Sequence, residues 1–345
     1  MTDFRSEGSL TDFEKLELKR RVLRSVKLYR RRKAIFIASG LAASLALVIT
    51  LGLIKTKNPS PSIVEFAEQV NEVDNNISNK VTLILSEGEN LSLEEDNPEI
   101  SYTSKNGAVD IGSSQLVEQQ KGQSKSQIYN TLMVPYGQRS KILLSDGSQV
   151  WLNSGSKLIY PIAFETNKRE VFLEGEAIFE VTHNESSPFH VITKNQKIEV
   201  LGTVFNVNDY KDEATSFTVL KQGSVMIRGR INNADGVLMK PGTKASIRGK
   251  SEPISTETVD VKEYFSWREG LLIIKNDPLS NIMRKLSRYY NRPIQIESSR
   301  VVNETFSGYL DLKTNLEEVL GLIQQTANIE YKQNENGIII ITLKK

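Results

Sequence analysis

The sequence predicts a mainly β protein that ends in a small α+β domain and is carried on a single N-terminal transmembrane helix. Three observations predict it. One uninterrupted apolar run lies near the N-terminus, short alternating segments broken by glycine-bearing turns fill the middle, and two helical periods follow near the C-terminus. With 345 residues there is chain enough for two domains beside an anchor.

The anchor comes first. Residues 34–54 carry no charge and are rich in Leu, Ile, Ala and Val. At a rise of about 1.5 Å per residue such a run spans a hydrocarbon core of about 30 Å. A cleaved signal peptide has a shorter apolar region and ends in small residues, whereas this run ends in Leu53-Ile54-Lys55. Arg30, Arg31, Arg32 and Lys33 abut it directly, and such a cluster stays cytoplasmic. The expected topology is a single signal-anchor helix, with 1–33 cytoplasmic and residues 55–345 exported. Charge agrees with the split. Residues 1–33 hold eleven basic and five acidic residues, and the remainder 33 basic and 37 acidic. The basic excess lies beside the membrane, so anionic membrane lipid is an expected contact. No aromatic residues are interleaved with these charges and no binding motif accompanies them, so no direct nucleic-acid partner is expected. The absence of cysteine excludes disulfides, thiolate metal sites and cysteine catalysis.

Residues 55–80, with NPSPS followed by a polar helical stretch, read as a spacer. From 81 to 262 the texture is β. VTLILSEGENLSL, SKILLSDGSQVWL, REVFLEGEAIFEV, IEVLGTVFNVNDY and SFTVLKQGSVMIRG alternate apolar and polar residues and then meet a turn signal, the pattern of a β-sandwich-like domain. Glu87-Gly88 and Asp146-Gly147 mark two similar hairpins. The Ser-, Gly- and Gln-rich stretch 94–127 is expected to carry loops.

Residues 265–345 read as α+β. LLIIKNDPLSNIMRKLSRYYNRPIQI is strand, helix, strand, with Asp277 as cap, Pro278 at the first helical position and a buried stripe of Leu279, Ile282, Met283, Leu286 and Tyr290. Thr314 and Glu317 read as a capping box before a second stripe of Leu316, Val319, Leu320 and Ile323. The two stripes are offset by a constant 37 residues, which reads as an internal repeat of two β-α-β units. GIIIITL closes the chain.

Catalytic chemistry is scarce. His183 and His190, read as lying in a loop between strands, lack further metal ligands at fixed spacing. Ser154-Gly155-Ser156 is no nucleophile elbow, and Gly249-Lys250-Ser251 lacks the first glycine of a phosphate loop. The acidic pairs Glu174/Glu176 and Glu317/Glu318 are explained as solvated faces. No enzyme, catalytic residue, cofactor or metal is therefore expected. Two features read as binding surfaces. Leu18, Val22, Leu23, Val26 and Tyr29 gather on one face of a cytoplasmic helix. That face suits a partner groove, a place on the inner leaflet, or simple continuation of the membrane helix. The β-prone Ile338, Ile339, Ile340, Ile341 and Thr342 either fill their own sheet or offer an edge to an added strand.

From VPYGQRSKILLSDGSQVWLNSGSKLIYP onward the chain resembles the FecR family. The resemblance runs through FLEGEAIFEV, PFHVIT, VLGTVFNVNDY, LKQGSV, LMKPGTKASI and VKEYFSWREGLLIIKNDPLSNIMRKLSRYY to FSGYLDLKTNLEEVLGLIQQTANIEYK, spanning about Thr131 to Lys345. The last part is similar to the C-terminal domain of Bacteroidetes members, itself akin to the secretin/TonB short N-terminal fold. The resemblance implies a single-pass inner-membrane regulator of an extracytoplasmic-function sigma factor. On the periplasmic side it implies a second partner, the signalling domain of a TonB-dependent outer-membrane transducer. Release of the cytoplasmic part by regulated proteolysis is common in the family. Members usually carry a longer helical sigma-binding domain, of which only the membrane-proximal end, about Leu10 to Lys33, is recognisable here. An upstream start, a short helix that suffices, or a member without sigma binding each fit. The alternative function is an envelope-anchored binding or scaffold module.

Overall fold

The computed structural model describes residues 12–55, 61–73, 79–86, 88–93, 98–103, 108–111, 115–118, 127–230, 236–249 and 252–344. The chain divides into two compact units, Met1–Pro59 and Ser60–Lys345. The described residues of the first form a single helix, α1, Asp12–Lys55. The expected cytoplasmic helix and the expected span 34–54 are thus one continuous element, because nothing between Tyr29 and Ala34 breaks a helix. Among the described residues no helix is long and apolar enough to cross a membrane, and many side chains of 34–54 lie outside the described ones.

The second unit is mostly β. Two sheets share one long strand, Arg169–Glu180. Its first half pairs with Ser156–Pro161 and Phe189–Ile192, and its second half with Gln149–Leu152 and Val204–Asp209. Gly175 lies where the strand passes between the sheets, at φ +102°, and a Cβ there would meet Ser156 Oγ at 2.5 Å and Ser156 Cα at 2.7 Å. Only glycine fits this place. Leu83, Leu132 and Leu158 from one sheet and Ile142, Phe179 and Phe205 from the other join a single buried core. Phe179 stacks on Phe205 at 5.2 Å. The β-rich reading of the sequence holds, and both hairpin turns place glycine, Gly88 and Gly147, at positive φ.

Two outer faces are also covered. Helix α2, Ile63–Val73, buries Ile63 and Ala67 against Tyr129, Ile159, Phe172 and Ile192. Part of the expected spacer is therefore docked, and a capping box starts it. Glu65 N donates to Ser62 Oγ at 3.3 Å and Ser62 N donates to Glu65 Oε2 at 2.8 Å. On the opposite sheet Phe265 and Trp267 cover Ile178 and Val219. The stretch 94–127 differs from expectation. Its described residues include strands Glu99–Thr103, Ala108–Ile111 and Gln115–Glu118, and the first pairs in parallel with Ser140–Leu143. Runs of four or five residues among polar neighbours are too short for alternation to stand out.

After the short helix α3, Lys262–Phe265, and a 3-10 turn, Ser266–Glu269, the chain order is strand Leu271–Pro278, helix α4 Leu279–Tyr290 and strand Ile294–Ile296. Strand Thr305–Asp311, helix α5 Leu316–Thr326 and strands Ile329–Gln333 and Ile339–Leu343 follow. The strands before the two helices pair with each other, antiparallel. The strands after them flank Ile339–Leu343 in a separate three-stranded sheet. Leu279, Ile282, Met283 and Leu286 and their counterparts Leu316, Val319, Leu320 and Ile323 are buried in one core; Tyr290 is half-buried beside them.

The helix caps are corrected. Pro278 precedes the helix and no side chain caps it; Asp277 bonds Asn281 and Lys285 instead. For α5 the cap is Asn315, whose Oδ1 accepts from Glu318 N at 2.8 Å, one residue beyond the expected Thr314. Thr314 Oγ1 is turned back onto Asp311 O.

Candidate functional site

The sequence-marked residues fall on both units. On α1, Leu18, Val22, Leu23, Val26 and Tyr29 are all exposed, spaced so that they share one side of the helix. Arg30, Arg31, Arg32 and Lys33 are exposed one turn further on. Along the same stretch Arg21 pairs with Glu17 and Lys15 with Asp12.

Ile338–Thr342 take a different place from the edge considered above. Ile338 precedes the strand, and Ile339–Leu343 is the middle strand of its sheet, with Ile294–Ile296 on one side and Ile329–Gln333 on the other. Ile339 and Ile341 are buried. Both edges are filled, so no further strand can be added here; the hydrophobic run fills its own core.

Of the two histidines, His183 lies in the expected loop and His190 does not. His183 is exposed beside Glu185, whereas His190 lies on strand Phe189–Ile192 with Nε2 3.5 Å from Glu199. Burial holds the His190 imidazole below its ordinary pKa. Among the described residues no group of three His, Cys, Asp or Glu is placed to hold a metal ion.

What the sequence did not reveal is a clamp between the β sheets and the C-terminal α+β elements, built from three arginines. Arg288, on the inner side of α4, places its guanidinium 3.7 Å from the Tyr210 ring centroid. Its Nη2 bonds Asp212 at 2.7 Å and its Nη1 bonds Glu213. Arg139 lies over Tyr289 at 4.6 Å and donates to Trp267 O at 3.1 Å. Arg268 bonds Glu180 at 2.9 Å and lies over Trp151. The last turn of α4 is tied in as well, because Gly137 N donates to Arg288 O at 2.8 Å, satisfying a carbonyl that a helix end leaves open. Arginine suits all three places, since its flat fork can stack on a ring and bond a carboxylate or carbonyl at once.

Beside this clamp a cleft of ≈ 770 Å³ runs between the two parts. Glu176 lies at its floor, accepting from Asn153 Nδ2 at 2.8 Å and Asn206 Nδ2 at 3.1 Å. Burial raises the Glu176 carboxyl above the usual range, and the two amide donors oppose that. The buried Tyr210 hydroxyl donates to Ser154 O at 2.8 Å, and burial raises its pKa far above that of a free phenol. The sequence signal for the clamp was present but mute: NDYKDEA and LSRYY each join an aromatic residue to charge, but nothing in one chain's pattern pairs them.

The FecR protein family matches residues 130–226, the sheets that carry the floor of the cleft, and its C-terminal domain matches residues 271–341. Over both domains the chain belongs to the FecR family. This FecR chain is also similar to a proposed anti-sigma factor from Parabacteroides distasonis ATCC 8503, seen in two crystal structures. In the 1.65 Å structure the TM-score is 0.57 at 28% identity, covering 61% of this chain and 97% of that one. In the 2.50 Å structure it is 0.58 at 28% identity, covering 63% and 100%. No curated protein matches the chain.

Proposed function

We propose that this FecR protein is a single-pass inner-membrane regulator of an extracytoplasmic-function sigma factor. The observation that carries the reading is the pair of FecR-family domains in family order, together with likeness to a proposed anti-sigma factor. The membrane part rests on the 21 uncharged residues 34–54 behind Arg30, Arg31, Arg32 and Lys33. The cytoplasmic contact falls to the exposed apolar side of α1, at Leu18, Val22, Leu23, Val26 and Tyr29. On the periplasmic side the two family domains receive the signal from the signalling domain of a TonB-dependent transducer. The role is regulatory, and binding rather than chemistry does the work.

The experiment is a transcript comparison between wild type and a strain lacking this gene, with the sigma factor encoded nearest to it also deleted in each background. The expected result is a set of genes whose transcripts change on loss of the regulator only while that sigma factor is present. Unchanged transcripts, or changes that persist without the sigma factor, refute the reading.

A further inference from the structure

We propose that the outer edge of the three-stranded sheet, at Ile294–Ile296, takes an added strand from another polypeptide, an extended segment that is apolar and acidic, seated in the groove between that edge and helix α4. The middle strand is closed on both sides, but the sheet ends at Ile294–Ile296, which pairs only with Ile339–Leu343. Ile339 N donates to Pro293 O at 2.9 Å, and Glu297 N to Ile341 O at 3.1 Å. Residues that bond the neighbouring strand alternate with residues that face away from it, so Pro293, Gln295 and Glu297 turn toward the middle strand. The N–H and C=O groups of Ile294 and Ile296 turn outward, and among the described residues nothing bonds them. Such an edge is a template for one more strand.

The groove beside the edge suits the side chains of that strand. Its volume is ≈ 270 Å³, below the range of about 300–1,000 Å³ usual for small-molecule sites. Ser280, Met283, Arg284 and Ser287 line it from α4, spaced as one side of a helix. Met283 is buried and Val302 half-buried, and both line the groove. Helix α4 shares its core with the sheet, and side chains alternate along a strand. Every second side chain of an added strand therefore faces the α4 stripe.

Arg284 sets the charge of the occupant. It is half-buried and, among the described residues, makes no ion pair. Its neighbours on the helix are engaged, Lys285 with Asp277 and Arg288 with Asp212. Arg284 stands on the ridge between this groove and the cleft beside Arg288. A carboxylate on the incoming strand gives its guanidinium a partner without breaking an existing pair. Apolar residues on either side of that acid meet Met283 and Val302. The groove needs no sigma factor, so its failure and the failure of the regulatory reading are separate results.

The test is a selection on the full chain held in detergent micelles, from random peptides of about nine residues displayed on phage, long enough to pass the edge at both ends. Ile296→Pro serves for counter-selection, because it deletes an outward N–H and leaves the bonds to the middle strand in place. The expected result is enrichment of peptides that carry Asp or Glu between apolar residues. The leading peptide, once synthesised, should half-saturate the chain below about 100 μM. It should bind Arg284→Glu at least about tenfold more weakly and slow amide exchange at Ile294 and Ile296. If Ile296→Pro lowers the thermal midpoint, Arg284→Glu replaces it in the counter-selection. No enrichment overturns the proposal. So do peptides that bind both variants as tightly as the wild type, or that leave the Ile294 and Ile296 amides unprotected. Self-association that Ile296→Pro abolishes, with no peptide enriched, assigns the edge to a second copy of the chain and overturns it as well.

Discussion

The Arg288 guanidinium lies 3.7 Å from the centroid of the Tyr210 ring while its two terminal nitrogens bond Asp212 and Glu213. One side chain on a C-terminal helix thereby meets an aromatic face and two acids at the end of a β strand. The arrangement fixes how the two FecR domains sit against each other, and its removal has calculable effects.

Arg288→Ala leaves Glu213 beside a buried phenol ring without its cation. The expected cost is about 3 kcal/mol, typical of breaking a buried pair from one side. Lysine keeps the charge but not the flat fork, so Arg288→Lys should recover only part of the loss. Hydrogen exchange checks both: faster exchange should appear at 210–213 and along α4 while the β core stays protected. Unchanged exchange in Arg288→Ala would remove the clamp from the account.

Gly175→Ala tests the shared strand. The added Cβ has Ser156 backbone 2.7 Å away and a positive φ of 102° to hold, so relief requires the two sheets to part. A loss of about 3 kcal/mol is expected in urea unfolding. Gly242→Ala is the control, since its Cβ meets nothing within 4 Å although its φ is also positive; it should lose about 1 kcal/mol.

Glu176 makes stability fall with rising pH. Its folded pKa is raised by burial, so the folded state holds the proton where the unfolded state has released it. Stability is therefore highest below the ordinary carboxylate pKa and declines as pH climbs through the raised folded value. Asp209, raised by burial too, acts in the same direction. Glu176→Gln removes one proton from this balance. Its unfolding free energy should gain on the wild type as pH rises from the ordinary carboxylate range through the raised folded value, as read from denaturation at each pH. A constant difference would contradict the assignment.

Ser62→Ala removes half of the capping box that starts α2, at a cost of about 1 kcal/mol. The helix packs on the sheet through few residues, chiefly Ile63 and Ala67. Protease cleavage within 63–73 should become faster with little change in the thermal midpoint of the body. Equal cleavage rates would show that packing alone secures the helix.

Legibility in the sequence followed period length. The stripes Leu279–Leu286 and Leu316–Ile323 each cover two turns of helix, and every named position but the half-buried Tyr290 is buried. The hairpin glycines 88 and 147 were legible because a turn needs positive φ there. The strands 108–111 and 115–118 were not, since four residues give alternation too little length to show. The place of Ile338–Thr342 was ambiguous for a related reason: an unbroken apolar run fits a central strand and an exposed edge equally until its neighbours are known. The clamp was invisible because Arg139, Tyr210, Arg268 and Arg288 are far apart in sequence and meet only through the packing of two cores. The exposed side of α1 that carries Leu18, Val22, Leu23, Val26 and Tyr29 could be drawn from helical spacing alone.

That face carries the central claim. The most direct measurement is co-purification of the full chain, in detergent, with the sigma factor encoded nearest to it, comparing wild type with Val22→Asp and Val26→Asp. The account predicts that wild type retains the sigma factor and that either aspartate, placed on the apolar side of α1, lowers retention at least about tenfold. No retention by the wild type, or equal retention by all three proteins, would contradict it.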